Sequence, residues 1–248
     1  MRIAIHQPYF LPWLGFFSKI MHADGYVALD DVQFRKRHYH DRAKIVSMTG
    51  ELIWVGIPVG DHLKRLMNEI IVSDANWTRK IIRTIEYSYA KGSEFPSEWP
   101  GIRECIMHMT AGMSLSDINI RIIEYLLTQL RPGQGAIIWK SSMLGCTGDA
   151  TDRIIQICRA VGASEIIVGA GASLSNSVHD LRRMRTCGIR MFKQDFRSAN
   201  VSYVQVRRQR LRFAAGASAI DAILNVGSLK TASLLSACSL VPTEVELT

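Results

Sequence analysis

Apolar residues along the 248-residue chain switch between strand and helix spacing. Arg2–His6 is a short apolar run, the pattern of a buried strand, and it stops at His6-Gln7-Pro8. Pro12–Met21 follows with helical spacing, and Pro12 is compatible with a first helical turn. Gly25–Leu29 is a second apolar run, ended by Asp30-Asp31. Strand, helix and strand within about thirty residues is the length of a parallel βαβ unit. Lys44–Met48 and Glu51–Pro58 flank Thr49-Gly50 and predict a hairpin. Trp77–Tyr89 repeats isoleucines at helical spacing, Phe95–Gly101 reads as a Pro-rich loop, and Ser116–Leu130 predicts a helix closed before Arg131-Pro132-Gly133. Alternation then resumes. Strands are expected at Ala136–Lys140, Glu165–Val168 and Ile189–Lys193, with helices at Thr151–Val161, where Thr147 and Asp149 are candidate caps, and at Ser177–Cys187. The fold class predicted is α/β, a mostly parallel Rossmann-like sheet flanked by helices. One domain is expected, with residues 44–133 as a hairpin and helical insertion after the first βαβ unit.

Composition alters this picture little, since 48% hydrophobic and 21% charged residues are ordinary for a globular chain. A formal net charge of +8 fits an anionic ligand such as a nucleotide, a sugar nucleotide or tRNA, and equally a plain basic surface. The cysteines (Cys105, Cys146, Cys158, Cys187, Cys238) are scattered, odd in number and never spaced C-x-x-C. That argues against a disulfide framework or zinc ribbon and fits a reducing cytoplasm. No apolar run approaches the ~18 residues of a membrane span. His6, Gln7 and Pro8 interrupt the first one, so no signal peptide is expected.

In open parallel sheets ligands bind beyond the carboxyl ends of the strands. His6, Gln7 and Tyr9 follow the first strand, with Gly15 in the next helix. Asp30, Asp31 and Gln33 follow the second, and Gly169 and Gly171 a later one. His6 has two readings: a group that binds an anion or stabilises a transferring group, or a buried histidine bonded to backbone. Adjacent side chains in extended backbone point to opposite faces, so one of Asp30 and Asp31 would face the crevice. Arg35, Lys36, Arg37, Arg42 and Lys44 form a basic run suited to phosphate, or simply a solvated face. His38 and His40 have metal-capable spacing without a third ligand, so no metal site is assigned. The small-residue loop GAGAS lacks the spacing of a dinucleotide fingerprint, and no P-loop, G-x-S-x-G or H-E-x-x-H motif is present.

The stretches HQPYFLPWLGFFSKI, ADGYVALDDVQFRKRHYHDRAKI, WVGIPV, Asn76-Trp77, Ser141-Ser142 and SAIDAILNVG together resemble the WbqC-like protein family, in order and over nearly the whole chain. The resemblance implies a role in bacterial surface-polysaccharide and related small-molecule biosynthesis. It implies His6, Gln7, Pro8, Pro12, Gly15, Asp30, Asp31, Gln33, Lys36 and Arg42 as motif positions, with Ser218, Asp221, Asn225 and Gly227 near the C-terminus. The chain departs from the family pattern at Leu174-Ser175 and in SANVSYVQ. A looser likeness to nucleotidylyltransferase-like folds stops at the level of fold, because Trp13-Leu14-Gly15-Phe16 stands where their H-x-G-H would be.

The function expected is a transferase that forms an amide, moving an acyl or aminoacyl group to an amine of a small molecule or amino-sugar nucleotide. The route would belong to surface-glycan or specialised-metabolite biosynthesis. His6, Asp30 and Asp31 are the expected catalytic residues; Gln7, Tyr9, Gly15, Gln33, Lys36, Arg42, Gly169 and Gly171 are the expected substrate contacts. No cofactor is assigned beyond a nucleotide- or tRNA-linked donor, the choices being an acyl-adenylate, an acyl carrier or aminoacyl-tRNA. The alternative is a non-catalytic nucleotide- or RNA-binding module using Arg35–Lys44 and Arg207–Arg212.

Overall fold

The computed structural model describes residues 1–60, 62, 64–135, 137–169, 180–196, 200–208 and 211–242. Its main sheet has six strands: β1 (Arg2–His6), β2 (Gly25–Ala28), β5 (Ile138–Lys140), β6 (Glu165–Gly169), β7 (Arg190–Gln194) and β8 (Leu240–Pro242). Their order is β5-β2-β1-β6-β7-β8. All pairs are parallel except the edge strand β8, which runs antiparallel to β7. The α/β class and the mostly parallel sheet expected from the sequence are therefore present.

The chain leaves β1 for β2 on one side, and after β5 it crosses to β6 on the other. The β1/β6 junction is thus a topological switch point, where the carboxyl ends of two strands diverge. Strand alternation sorts the side chains of β1 between two cores. Ile3 joins Ile155, Cys158, Met184 and Met191 beneath helices α5 (Ala150–Ala160) and α6 (Leu181–Thr186). Ala4 joins the larger core with Phe16, Phe17 and Ile20 of helix α1 (Leu14–Met21). His6 has the parity of Ala4, so it faces α1.

The hairpin is β3 (Arg42–Val46) with β4 (Leu52–Gly56), turned through Gly50 at a positive φ of 86°. Helix α2 (Trp77–Tyr89) follows, then α3 (Phe95–Met107), α4 (Leu115–Leu130), and late in the chain α7 (Ala219–Val226) and α8 (Ser228–Ser236). The Pro-rich stretch 95–101 is the start of α3, not a loop. Pro96 sits in the first turn, where no intrahelical donor is lost. Pro100 lies inside the helix, and burial of Trp99, Ile102 and Ile106 together with the Trp99 Nε1–H bond to Glu86 Oε1 (3.1 Å) holds that turn. Helices α7 and α8 fall in a stretch for which the apolar pattern predicts no element. The predicted start of the Ser177–Cys187 helix lies outside the described residues, and α6 begins at its Asp180 cap. No helix among the described residues is long and apolar enough to cross a membrane.

Candidate functional site

At the carboxyl ends of β1, β6 and β7 the described residues enclose a cavity of about 1290 Å³. Its wall is mostly apolar, with Trp13, Phe16, Val168, Met184, Met191 and Phe196 among the lining side chains. The polar groups on it are few, as in pockets where a handful of hydrogen-bonding groups orient a ligand. They include His6, Gln7, Tyr9, Lys19, His38 and Gln194.

His6 donates from Nδ1 to the carbonyl oxygen of Gln7 at 2.8 Å. That bond fixes the tautomer with Nε2 unprotonated. Burial pushes the imidazole down to about 3, with nearby Lys19 adding to the effect and the Gln7 carbonyl opposing it. The ring meets Tyr9 edge-on at 4.6 Å and Phe16 at 5.2 Å between centroids. His6 is thus a neutral acceptor on the cavity wall.

Gln7 is oriented by His40. The His40 Nδ1 accepts the backbone N–H of Arg35 at 3.1 Å, so Nε2–H donates to Gln7 Oε1 at 2.7 Å. With its oxygen committed, Gln7, which lines the cavity, has its amide N–H groups left for a ligand. His40 is fully buried and pushed down to about 3 by burial, then by His38 and Arg35. Beneath it, buried Asn119 of α4 donates to the carbonyls of Pro8 and His40 at 2.9 and 2.8 Å. One amide therefore ties the first strand-to-helix turn to the histidine loop.

Tyr9 closes the wall with its ring near His38 (5.6 Å) and Tyr39 (5.5 Å), and burial pushes its phenol up to about 12. Gly15 lines the cavity too, but the group that needs its missing side chain is Trp13. A Cβ there would stand 2.2 Å from the indole. Gln194 donates to the Gly15 carbonyl at 3.1 Å, joining β7 to α1. Gly169 borders the cavity, and among the described residues a Cβ built there would meet no atom within 4 Å. Gly171 lies outside the described residues.

Asp30 and Asp31 sit at the same end of the sheet but do not line this cavity. β2 ends at Ala28, opposite His6 in register, so strand alternation no longer governs the two aspartates. Instead of facing opposite ways, both carboxylates reach the Ser141-Ser142 turn after β5. Asp30 accepts from Ser141 Oγ (3.2 Å), Ser142 N (2.9 Å) and Ser142 Oγ (2.6 Å). Asp31 accepts from Ser141 Oγ and pairs with Arg153 of α5. Gln33 and Lys36 are exposed, and Gln33 makes an isolated bridge to Leu66. Arg42 lies over the Trp54 ring at 4.2 Å and donates to the Arg37 carbonyl. Arg208 donates to the carbonyls of Arg212 and Gly50. Part of each basic run therefore braces the protein's own backbone, while Arg35 and Arg37 stay exposed.

Lys19 was not anticipated. Its side chain is 5% exposed, its ammonium donates to the Ile5 carbonyl at 3.0 Å, and burial pushes it down to about 8. Helical position does not single it out, because every residue from Leu14 to Ile20 is buried.

The WbqC-like protein family matches residues 7–233. The chain belongs to this family. It is also 24% identical over 229 residues to an uncharacterised protein, Rv1507c, of Mycobacterium tuberculosis, an alignment that covers 92% of this chain and 94% of that relative. No solved structure matches.

Proposed function

We propose that the cavity is the active site of an amide-forming transferase, which moves an acyl or aminoacyl group from an activated donor to the amine of a small molecule or amino-sugar nucleotide. Bacterial surface-glycan or specialised-metabolite biosynthesis is the setting this family suggests. The observation that carries the reading is His6. A neutral imidazole with its Nδ1–H bonded to backbone and its Nε2 uncommitted can accept a proton as positive charge develops on an attacking amine, as a weaker base than a free imidazole because burial holds it down. In the reaction the amine nitrogen bonds to the donor's carbonyl carbon, and the bond from that carbon to the leaving group breaks. The amine proton passes through His6 Nε2 to the leaving group. Gln7, its oxygen held by His40, supplies N–H donors for the carbonyl oxygen as negative charge develops there. Asp30 and Asp31 act indirectly, bracing the carboxyl ends of β2 and β5 through Ser141, Ser142 and Arg153.

The test is mass-spectrometric detection of amide product with a panel of acyl-adenylates, acyl thioesters and aminoacyl-tRNAs against amino-sugar nucleotides and simple amines. His6→Ala should lower turnover by roughly 10²–10⁴-fold, the usual range for a lost general base. An unchanged rate in a folded His6→Ala protein would remove His6 from the mechanism.

A further inference from the structure

A buried ammonium is costly unless an anion or several hydrogen bonds compensate it. Lys19 has three protons to place and, among the described residues, a single acceptor at 3.0 Å, the Ile5 carbonyl. None of the ion pairs among the described residues includes it. Asp30 and Asp31, which follow β2 at this end of the sheet, are committed to Ser141, Ser142 and Arg153. The titratable groups that line the cavity with Lys19 are His6, Tyr9, His38, Tyr39 and Tyr203, none of them an anion at neutral pH. Residues 170–179 after β6 contain no Asp or Glu; Asp195, directly after β7, does not line the cavity, and its charge bears on Cys238 whereas burial alone acts on Lys19. Among the described residues that line the cavity there is therefore no anion to compensate Lys19.

We propose that Lys19 binds the carboxylate of the amine-bearing substrate, and that this substrate is amphipathic, with an apolar body lying along Trp13, Phe16, Met184, Met191 and Phe196. This rests on reading the cavity as the substrate site. A monoanion is chosen over a phosphate because Lys19 is the only lysine or arginine among the described lining residues. A phosphate monoester, with close to two charges at neutral pH, would be under-compensated there. The volume of about 1290 Å³ leaves room for a donor beside the acceptor.

The experiment is a binding titration that needs no turnover, so it stands apart from the test of acyl transfer. Phenylbutyrate, phenylbutyramide and phenylbutylamine share one apolar body and differ in head group. Wild type should prefer the carboxylate over the amide by about tenfold or more, a difference near 1.4 kcal/mol. Lys19→Met should erase that preference while keeping the affinity due to the apolar body. Equal binding of carboxylate and amide by wild type, or a preference that survives in Lys19→Met, would overturn the assignment. Isotope-edited NMR of lysine side chains in the wild-type protein gives an answer without any variant. One lysine should titrate near pH 8 and move upward when phenylbutyrate saturates the protein, but not with the amide. The absence of such a shift also counts against the proposal.

Discussion

Asp221 and Lys19 are two charged residues buried to nearly the same extent, 0% and 5% exposed, yet their surroundings are opposite. The Asp221 carboxylate accepts from Tyr89 (2.8 Å), Tyr203 (2.5 Å) and Gln205 (2.7 Å). Burial still raises its carboxyl above the usual range, while those three donors pull the other way. The partners come from two stretches of chain, α2 and residues 203–205, and Tyr89 also accepts the N–H of Val46 from the hairpin. Asn225, one turn on, accepts the N–H of Val206 at 2.7 Å. This end of α7 is a clamp that fixes residues 201–208 and the insertion onto one helix. Lys19 has one partner and an open cavity. A fully satisfied buried charge organises the fold, whereas a partly satisfied one on a cavity wall is organised for something absent.

Removing the satisfied charge should have the larger effect on stability. Asp221→Ala leaves two hydroxyls and an amide without their acceptor in the core. Loss of one member of such a buried charged cluster costs about 3–5 kcal/mol. At roughly 2–4 °C per kcal/mol for a chain of this size, the melting temperature should drop by about 10 °C. A drop under a few degrees would break the contrast with Lys19. Asp30→Ala tests the same logic nearer the site. It strips the acceptor from the backbone N–H and hydroxyl of Ser142, while Ser141 keeps Asp31, and should cost roughly 2–3 kcal/mol, read by denaturant unfolding. If Asp30→Ala melts like wild type but loses turnover, the aspartate belongs to the chemistry rather than to the brace.

These contrasts mark what could be read from residues alone. β1, β2 and the hairpin are visible because apolar runs with turn residues between them depend on local pattern. Trp77–Tyr89 was expected with the bounds it has, since its isoleucines keep strict helical spacing. The α3 helix was hidden by Pro96 and Pro100, whose local signal is outvoted by the burial of Trp99 and Ile106. At the site, His6, Gln7 and Tyr9 follow from the strand-end rule. The Asp30/Asp31 geometry does not, because it is set by a turn more than a hundred residues away. Lys19 was passed over because a lysine in a helix is ordinarily a surface residue, and only the tertiary packing of α1 buries it.

Lys19→Met should raise stability of the ligand-free protein. The shift from the ordinary 10.5 to about 8 corresponds to an upper bound of roughly 3 kcal/mol against the charged form. Loss of the bond to Ile5 offsets part of that, leaving about 1–2 kcal/mol and a rise of roughly 2–8 °C. The sign has its own check. Below pH 8 the lysine is charged in both folded and unfolded chains and the cost is complete. Between about 8 and 10.5 the folded lysine is neutral while the unfolded one is still protonated, so wild-type stability gains on the variant as pH rises. A variant advantage that stays constant over that window would show that the ammonium is already compensated.

The last effect is a pH slope and concerns His40, which sits between the two kinds of buried group: both of its nitrogens are satisfied, but only while it is neutral. Protonating Nδ1 would set its new N–H against the Arg35 N–H that it now accepts. Burial holds the ring at about 3 in the folded chain, against an ordinary 6.5 in the unfolded one. Both forms are neutral above 6.5, so the full stability is present there. As pH falls from 6.5 towards 3, only the unfolded chain takes up the proton, and stability declines by up to about 1.4 kcal/mol per pH unit. His6, also held at about 3, adds a similar slope over the same window. His40→Gln keeps a donor for the Gln7 oxygen but cannot titrate. Its unfolding free energy, measured by urea titration from pH 7 to 4, should fall less steeply than wild type by about one proton's worth. The carboxylates contribute equally to both proteins, so the difference isolates one histidine. Parallel curves would mean that His40 is protonated in the folded state, and the orientation of Gln7 towards the cavity would lose its support.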